Sequence, residues 1–107
     1  MNLKEVLGIE KEDIERFADI FDMNIEKWEE VLEKDKRLLK VVVLLPWLNS
    51  MDFKVPEQYT IVVLSMLMNT RNVKEVIDSI VEGDYEIGKK ILLLYEVGRI
   101  IKVGSEQ

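Results

Sequence analysis

NVKEVIDSIVEGDYEIGKKILLLYEVGRIIKV, residues 72–103, carries two helical periodicities with a Gly-Asp break between them. Val73, Val76, Ile77, Ile80 and Val81 recur at the three-and-four spacing of one helix face, so the segment from Asn72 to Glu82 reads as an amphipathic helix. Asn72 and Glu75 have the spacing of a capping box, in which each side chain satisfies a backbone donor of the other residue. Gly83 reads as the left-handed residue that closes this helix, and Asp84 as the cap that opens the next. Ile87, Ile91, Leu94, Tyr95 and Gly98 share a face of that second helix. Gly98 reads as its end. Arg99–Val103 (RIIKV), rich in β-branched residues, then reads as extended, a short terminal β-strand.

Working outward, Pro56-Glu57-Gln58 is a helix start: proline at the first helical position gives up no hydrogen bond, and the acid beside it meets the positive end of the dipole. The run Ile61–Met68 that follows is apolar on every side, as are Val41–Leu48 and Ile91–Leu94. The β-branched content of Val41–Leu45 and Ile61–Leu64 also suits buried strands; helix is preferred because of the helix start at Pro56 and the methionines at 66 and 68. Nearer the amino terminus, Asn2–Leu7 reads as one turn stopped by Gly8. Ile14, Phe17, Ala18 and Phe21 form the stripe of a helix from Lys11 to Asp22. Asn24 is an N-cap for a helix with inner face Ile25, Trp28, Val31 and Leu32. Asp35 either breaks that helix or faces water, and a further segment runs from Lys36 until Pro46 ends or kinks it. Asn49–Val55 is the main loop.

Length and composition bound the rest. A chain of 107 residues with 48% hydrophobic content makes one domain with a modest core and excludes a disordered chain. The charged start MNLKEVLGIEKED carries no signal peptide, and no apolar run reaches the roughly 18–20 residues of a membrane span, so a cytoplasmic location is expected. Cysteine and histidine are both absent, which removes disulfides, thiolate nucleophiles, Cys/His zinc sites and imidazole bases. Ser65 and Ser79 therefore lack an imidazole to activate them, and there is no glycine-rich phosphate loop. The Lys/Glu/Ile/Val-rich balance without Cys is that of heat-adapted proteins. Net charge is −6; residues 1–55 carry nine Lys/Arg against thirteen Asp/Glu, and residues 56–107 six against eight. Nucleic-acid affinity comes mainly from neutralising phosphates, so this balance disfavours DNA.

The spacing over residues 58–103 resembles the winged-helix and helix-turn-helix (trihelical) transcription regulators. Leu64 and Leu67 would lie in the first helix, and Val73-Lys74-Glu75-Val76-Ile77-Asp78-Ser79-Ile80 is similar to the second. Ile87 falls seven residues after Ile80, Ile91 and Leu94 follow at four and seven, Val97-Gly98 close the helix, and Ile100 and Ile101 would begin a wing strand. The resemblance implies a partner-reading helix after Asp84. It departs from the pattern where Val81-Glu82 intervene before the turn glycine, and where Asp84, Glu86, Gly88 and Leu92 stand at outward positions.

The expected protein is all-α, about five to six helices in a single domain 1–107. Residues 1–55 form a helical extension or dimerisation part, and 56–107 a helix-turn-helix-like part. Its expected role is a non-enzymatic regulator or interaction module, homodimeric, binding a protein or DNA, with no membrane association and no cofactor. The candidate contact residues are Arg71, Lys74, Tyr85, Lys89, Lys90, Leu92, Arg99 and Lys102. Homodimerisation is expected because a chain of this size has trouble burying three all-round apolar segments. An alternative places Mg²⁺ on Glu29, Glu30 and Glu33, with Glu75 and Asp78 as a second pair. Their spacing resembles that of all-α nucleotide pyrophosphohydrolases, but with 21 acids such pairs arise by accident and a solvated face is the plainer reading. Trp28 and Trp47 read as core or as interface anchors, and Met51, Met66 and Met68 as core filler or the lining of an adaptable groove.

Overall fold

The computed structural model describes residues 3–20, 23–48 and 54–106, and every regular element among them is helical. In order these are α1 (Leu3–Leu7), α2 (Lys11–Ala18), α3 (Ile25–Lys34), α4 (Lys36–Leu39), a 3₁₀ segment (Lys40–Leu44), α5 (Leu45–Leu48), α6 (Glu57–Thr70), α7 (Val73–Glu82) and α8 (Ile87–Glu106). The all-α class expected from the periodicities is the class adopted.

Local chemistry sets several of the ends as expected. Gly8 stops α1 at φ 68°, with its own N–H on the Glu5 carbonyl and the Ile9 N–H on that of Lys4, a Schellman closure. The Asn24 side chain accepts from the Lys27 N–H at 3.1 Å and opens α3. Asp35, at φ −125° and ψ 84°, does break the chain between α3 and α4. Other ends move. α2 stops at Ala18, short of Asp22; Phe21 lies outside the described residues, as do Met51 and most of the Asn49–Val55 loop. Pro56 is the cap of α6 and not its first helical residue.

The segment from Lys36 is three pieces laid end to end. Val41, Val42 and Val43 sit in the tighter 3₁₀ turn and are buried, so Val41–Leu45 is neither strand nor plain α-helix. Pro46 falls in the first turn of α5, where its missing N–H would have no intrahelical partner, so it does not end the helical path.

α8 is the centre of the molecule. Its 20 residues extend about 30 Å and pack against the 3₁₀ segment, α5, α6, α7 and α3. Gly98 does not end it. A Cβ at Gly98 would lie 2.0 Å from the Val43 carbonyl oxygen and 3.3 Å from Pro46 Cδ, so the glycine lets α8 rest directly on the 3₁₀ backbone. Arg99–Val103 is helical and not extended, and there is no strand among the described residues. Ile100 and Ile101 stay partly buried against the core, and this packing overrides their β preference. The turn before α8 also differs from expectation. Gly83 is extended (φ −69°, ψ 163°) and not left-handed, and helix geometry resumes at Ile87 and not after Asp84. The left-handed closure appears instead at Arg71 (φ 56°, ψ 7°), whose N–H bonds the Leu67 carbonyl at 3.0 Å to finish α6.

Of the three apolar segments, Val41–Leu48 is buried from Val41 to Pro46 with Trp47 exposed, and Ile91–Leu94 is buried apart from a half-buried Leu92. Trp28 is fully buried, with its ring edge-on to Phe17 at 5.3 Å. The third segment, on α6, is different.

Candidate functional site

α6 contains no charged residue between Glu57 and its closing Arg71, and its apolar residues point all ways. Sequence alone therefore assigns it no inner face. Packing on α7 and α8 selects one: Val63 is buried, and Tyr59, Met66 and Leu67 are partly covered. Ile61, Leu64 and Met68 are left 60%, 43% and 77% exposed. They recur at i, i+3 and i+7, which makes one stripe along the outside of the helix. Val62 is also exposed, at the margin of a groove of about 250 Å³ between α6 and the start of α8 that Gln58, Tyr59, Tyr85, Lys89 and Leu93 complete. An apolar helix is normally buried all round; this one is buried on one side only. Met68 is thus not core filler, and Trp47, on α5, is exposed and not core.

The contact residues expected from sequence do not form one patch. Tyr85 and Lys89 share the groove beside Val62. Arg71 and Lys74 are exposed at the far end of α6 and the start of α7, about 20 Å along the helix from Gln58. Lys90 is 6% exposed, and its ammonium donates to the Val81 carbonyl at 2.6 Å, where it meets the negative end of α7. It is a structural cap and has no freedom to meet a partner. Lys102 Nζ donates to the Pro46 carbonyl at 2.7 Å. Arg99 Nε donates to the buried Glu96 carboxylate, and this bond to Glu96 holds the Arg99 guanidinium above its ordinary pKa; Glu96 also accepts from the Thr60 hydroxyl. Leu92 is half-buried.

The carboxylates expected of a Mg²⁺ site go separate ways. Glu29 lies over Gly88, Glu30 is within 3.9 Å of Lys27, Asp78 pairs with Lys40 at 3.2 Å, and Glu75 accepts from the Thr70 hydroxyl. Of the expected capping box, the Asn72 half, Asn72 Oδ1 accepting from the Glu75 N–H at 3.3 Å, opens α7, while the Glu75 carboxylate turns to Thr70. Among the described residues no group of three or more acids could hold a metal ion together, and no helix is long and apolar enough to cross a membrane.

One polar cluster was illegible in sequence. Asp13 is buried on α2 and accepts Arg37 Nε at 3.0 and 2.9 Å, the Glu10 N–H at 2.9 Å, and Arg16 Nη1 at 3.4 Å. Arg16 in turn pairs with Asp35, and Arg37 reaches the Gly8 carbonyl. The Arg37 hydrogen bonds hold the Asp13 carboxyl below the usual carboxylate range against the opposing effect of burial. Every member of this knot is engaged within the fold. It fastens the α1–α2 turn to the α3–α4 joint, and its partners 24 residues apart give no local pattern. No family model, curated protein or solved structure matches the chain.

Proposed function

We propose that the chain is a non-catalytic helical interaction module that docks onto a protein surface through the outer face of α6. The observation that carries this reading is the stripe Ile61–Leu64–Met68, a contiguous apolar row on a helix whose opposite side anchors the core. Exposed apolar rows of this kind mark interaction surfaces, because water contact with them is relieved only by a partner. The enclosure of α8 supports it too. α8 packs against five other segments and is buried from Lys90 to Gly98 apart from a half-buried Leu92, so the helix expected to read a partner is instead enclosed by the core. A protein partner suits this surface better than DNA: net charge is −6, and Lys90, Arg99 and Lys102 are each tied to internal acceptors.

A photo-crosslinking side chain placed at exposed Ser65, beside the stripe, tests the reading in a lysate of the source cells. The expected outcome is a discrete protein adduct from position 65 that is missing from the same probe at exposed Glu12 on α2. Adducts absent at 65, or equal at the two positions, would overturn it.

A further inference from the structure

We infer that the occupant of the α6 face is a second copy of this chain, paired antiparallel about a two-fold axis at Leu64. This deepens the docking reading above and rests on it. Glu57, Ile61, Leu64, Met68 and Arg71 are separated by four, three, four and three residues, the alternation of a heptad seam. All five are exposed. The seam thus presents an acid at one end, three apolar side chains in the middle, and a base at the other end, about 21 Å apart along the helix. The charge order selects the geometry. Parallel pairing sets Glu57 beside Glu57 and Arg71 beside Arg71, repulsive at both ends. Antiparallel pairing sets Glu57 opposite Arg71 of the partner subunit twice over, with Leu64 meeting its symmetry mate and Ile61 lying near the partner's Met68. The two helix dipoles then also run in opposite directions.

Among the described residues, α6 itself carries little that opposes this pairing. Ser65 and Asn69 are small and polar on its flank, and no other charge lies on α6. Arg71, the closing residue of α6, has left-handed backbone and is exposed just past the carboxyl end of the stripe. One 14-residue helix face is less than a standard interface, so the dissociation constant should be on the order of micromolar to tens of micromolar.

Sedimentation velocity on the full chain from about 1 to 500 µM tests the inference. The wild type should pass from monomer to dimer over this range. Leu64→Glu, which sets two acids face to face on the axis while leaving an exposed position exposed, should stay monomeric with an unchanged circular dichroism spectrum. Glu57→Arg and Arg71→Glu should each weaken association by about tenfold or more, and the double variant Glu57→Arg/Arg71→Glu should regain it. Rescue is the decisive result. A dimer indifferent to the single charge changes, or unrescued by the double one, overturns the antiparallel seam; a wild type monomeric at every concentration overturns self-association altogether. The docking reading fails separately: a monomer that still crosslinks from position 65 to a different protein sinks this inference and leaves that one standing.

Discussion

Gly98→Ala and Gly104→Ala are the same substitution in the same helix, and they should act in opposite directions. Helix propensity alone makes both stabilising by about 1 kcal/mol, because alanine surrenders less backbone entropy than glycine. At Gly104 a Cβ meets nothing within 4 Å, so up to that gain should appear, reduced by fraying near the end of α8. At Gly98 a Cβ would stand 2.0 Å from the Val43 oxygen and 2.9 Å from its carbonyl carbon. A carbon and a carbonyl oxygen rest at about 3.3–3.6 Å, so α8 and the 3₁₀ segment must part by more than about 1 Å. Both are buried there, and parting them strips contacts from Val43, Leu94 and Val97. Overpacking in such a place costs typically about 1–3 kcal/mol, and a contact this short belongs at the top of that range or above it. After subtracting the propensity gain, the net loss should be roughly 2–3 kcal/mol, a fall in Tm on the order of 10–20 °C. Urea and thermal unfolding followed by helical circular dichroism, at protein concentrations below about 1 µM so that association does not contribute, measure both variants. If Gly98→Ala lies within about 0.5 kcal/mol of the wild type, or above it, the direct contact of α8 with the Val43 backbone is refuted.

Other perturbations probe the buried polar groups. Because the Asp13 carboxyl titrates below its unfolded value, the stability it contributes is complete above about pH 4–5 and drains away as pH falls through the folded-state value. Asp13→Asn should therefore lower the urea midpoint at pH 7 and flatten the loss of stability below pH 4, as read from midpoints across pH 2–7. Thr60→Val removes one of two donors to buried Glu96 and should cost about 1 kcal/mol. Arg99→Ala, which leaves that carboxylate without its cation, should cost roughly 2 kcal/mol, discounted because Arg99 is half-exposed. Equal effects of the two changes in chemical denaturation would mean that the charge of Arg99 contributes nothing. Lys90→Met keeps the stem and removes the ammonium, so it should destabilise by about 1 kcal/mol and speed amide exchange in the last turn of α7.

The residues that announced themselves locally did so through short-range chemistry. Gly8 and Asn24 close or open helices through bonds within five residues, and Trp28 and Leu32 of α3 and Val76, Ile77, Ile80 and Val81 of α7 are buried as their spacing required. Where a neighbour outside that range decides the outcome, local reading goes astray. Gly98 looked like a stop because glycine closes helices; its role comes from Val43, 55 residues earlier. Gly83 had the right residue type for a left-handed closure of α7 and is extended there, while the closure of α6 is left-handed at Arg71, a residue type that gives no such signal. Lys90 read as a candidate contact residue and is a buried cap.

The sequence by itself determined that this protein is helical, mostly where its helices lie, and that imidazole and thiol chemistry are closed to it. Those properties follow from side-chain periodicity, capping groups and residue types, all of which act over a turn or two of chain. Packing between elements, in contrast, selects which of the three apolar segments keeps a face uncovered. Val41–Leu45 and Ile91–Leu94 cover each other's neighbourhood at the centre, and α6, packed from one side, keeps Ile61, Leu64 and Met68 in water. Hydrophobic burial is non-directional, so an all-round apolar helix carries no mark of its outer face until its neighbours have taken the inner one.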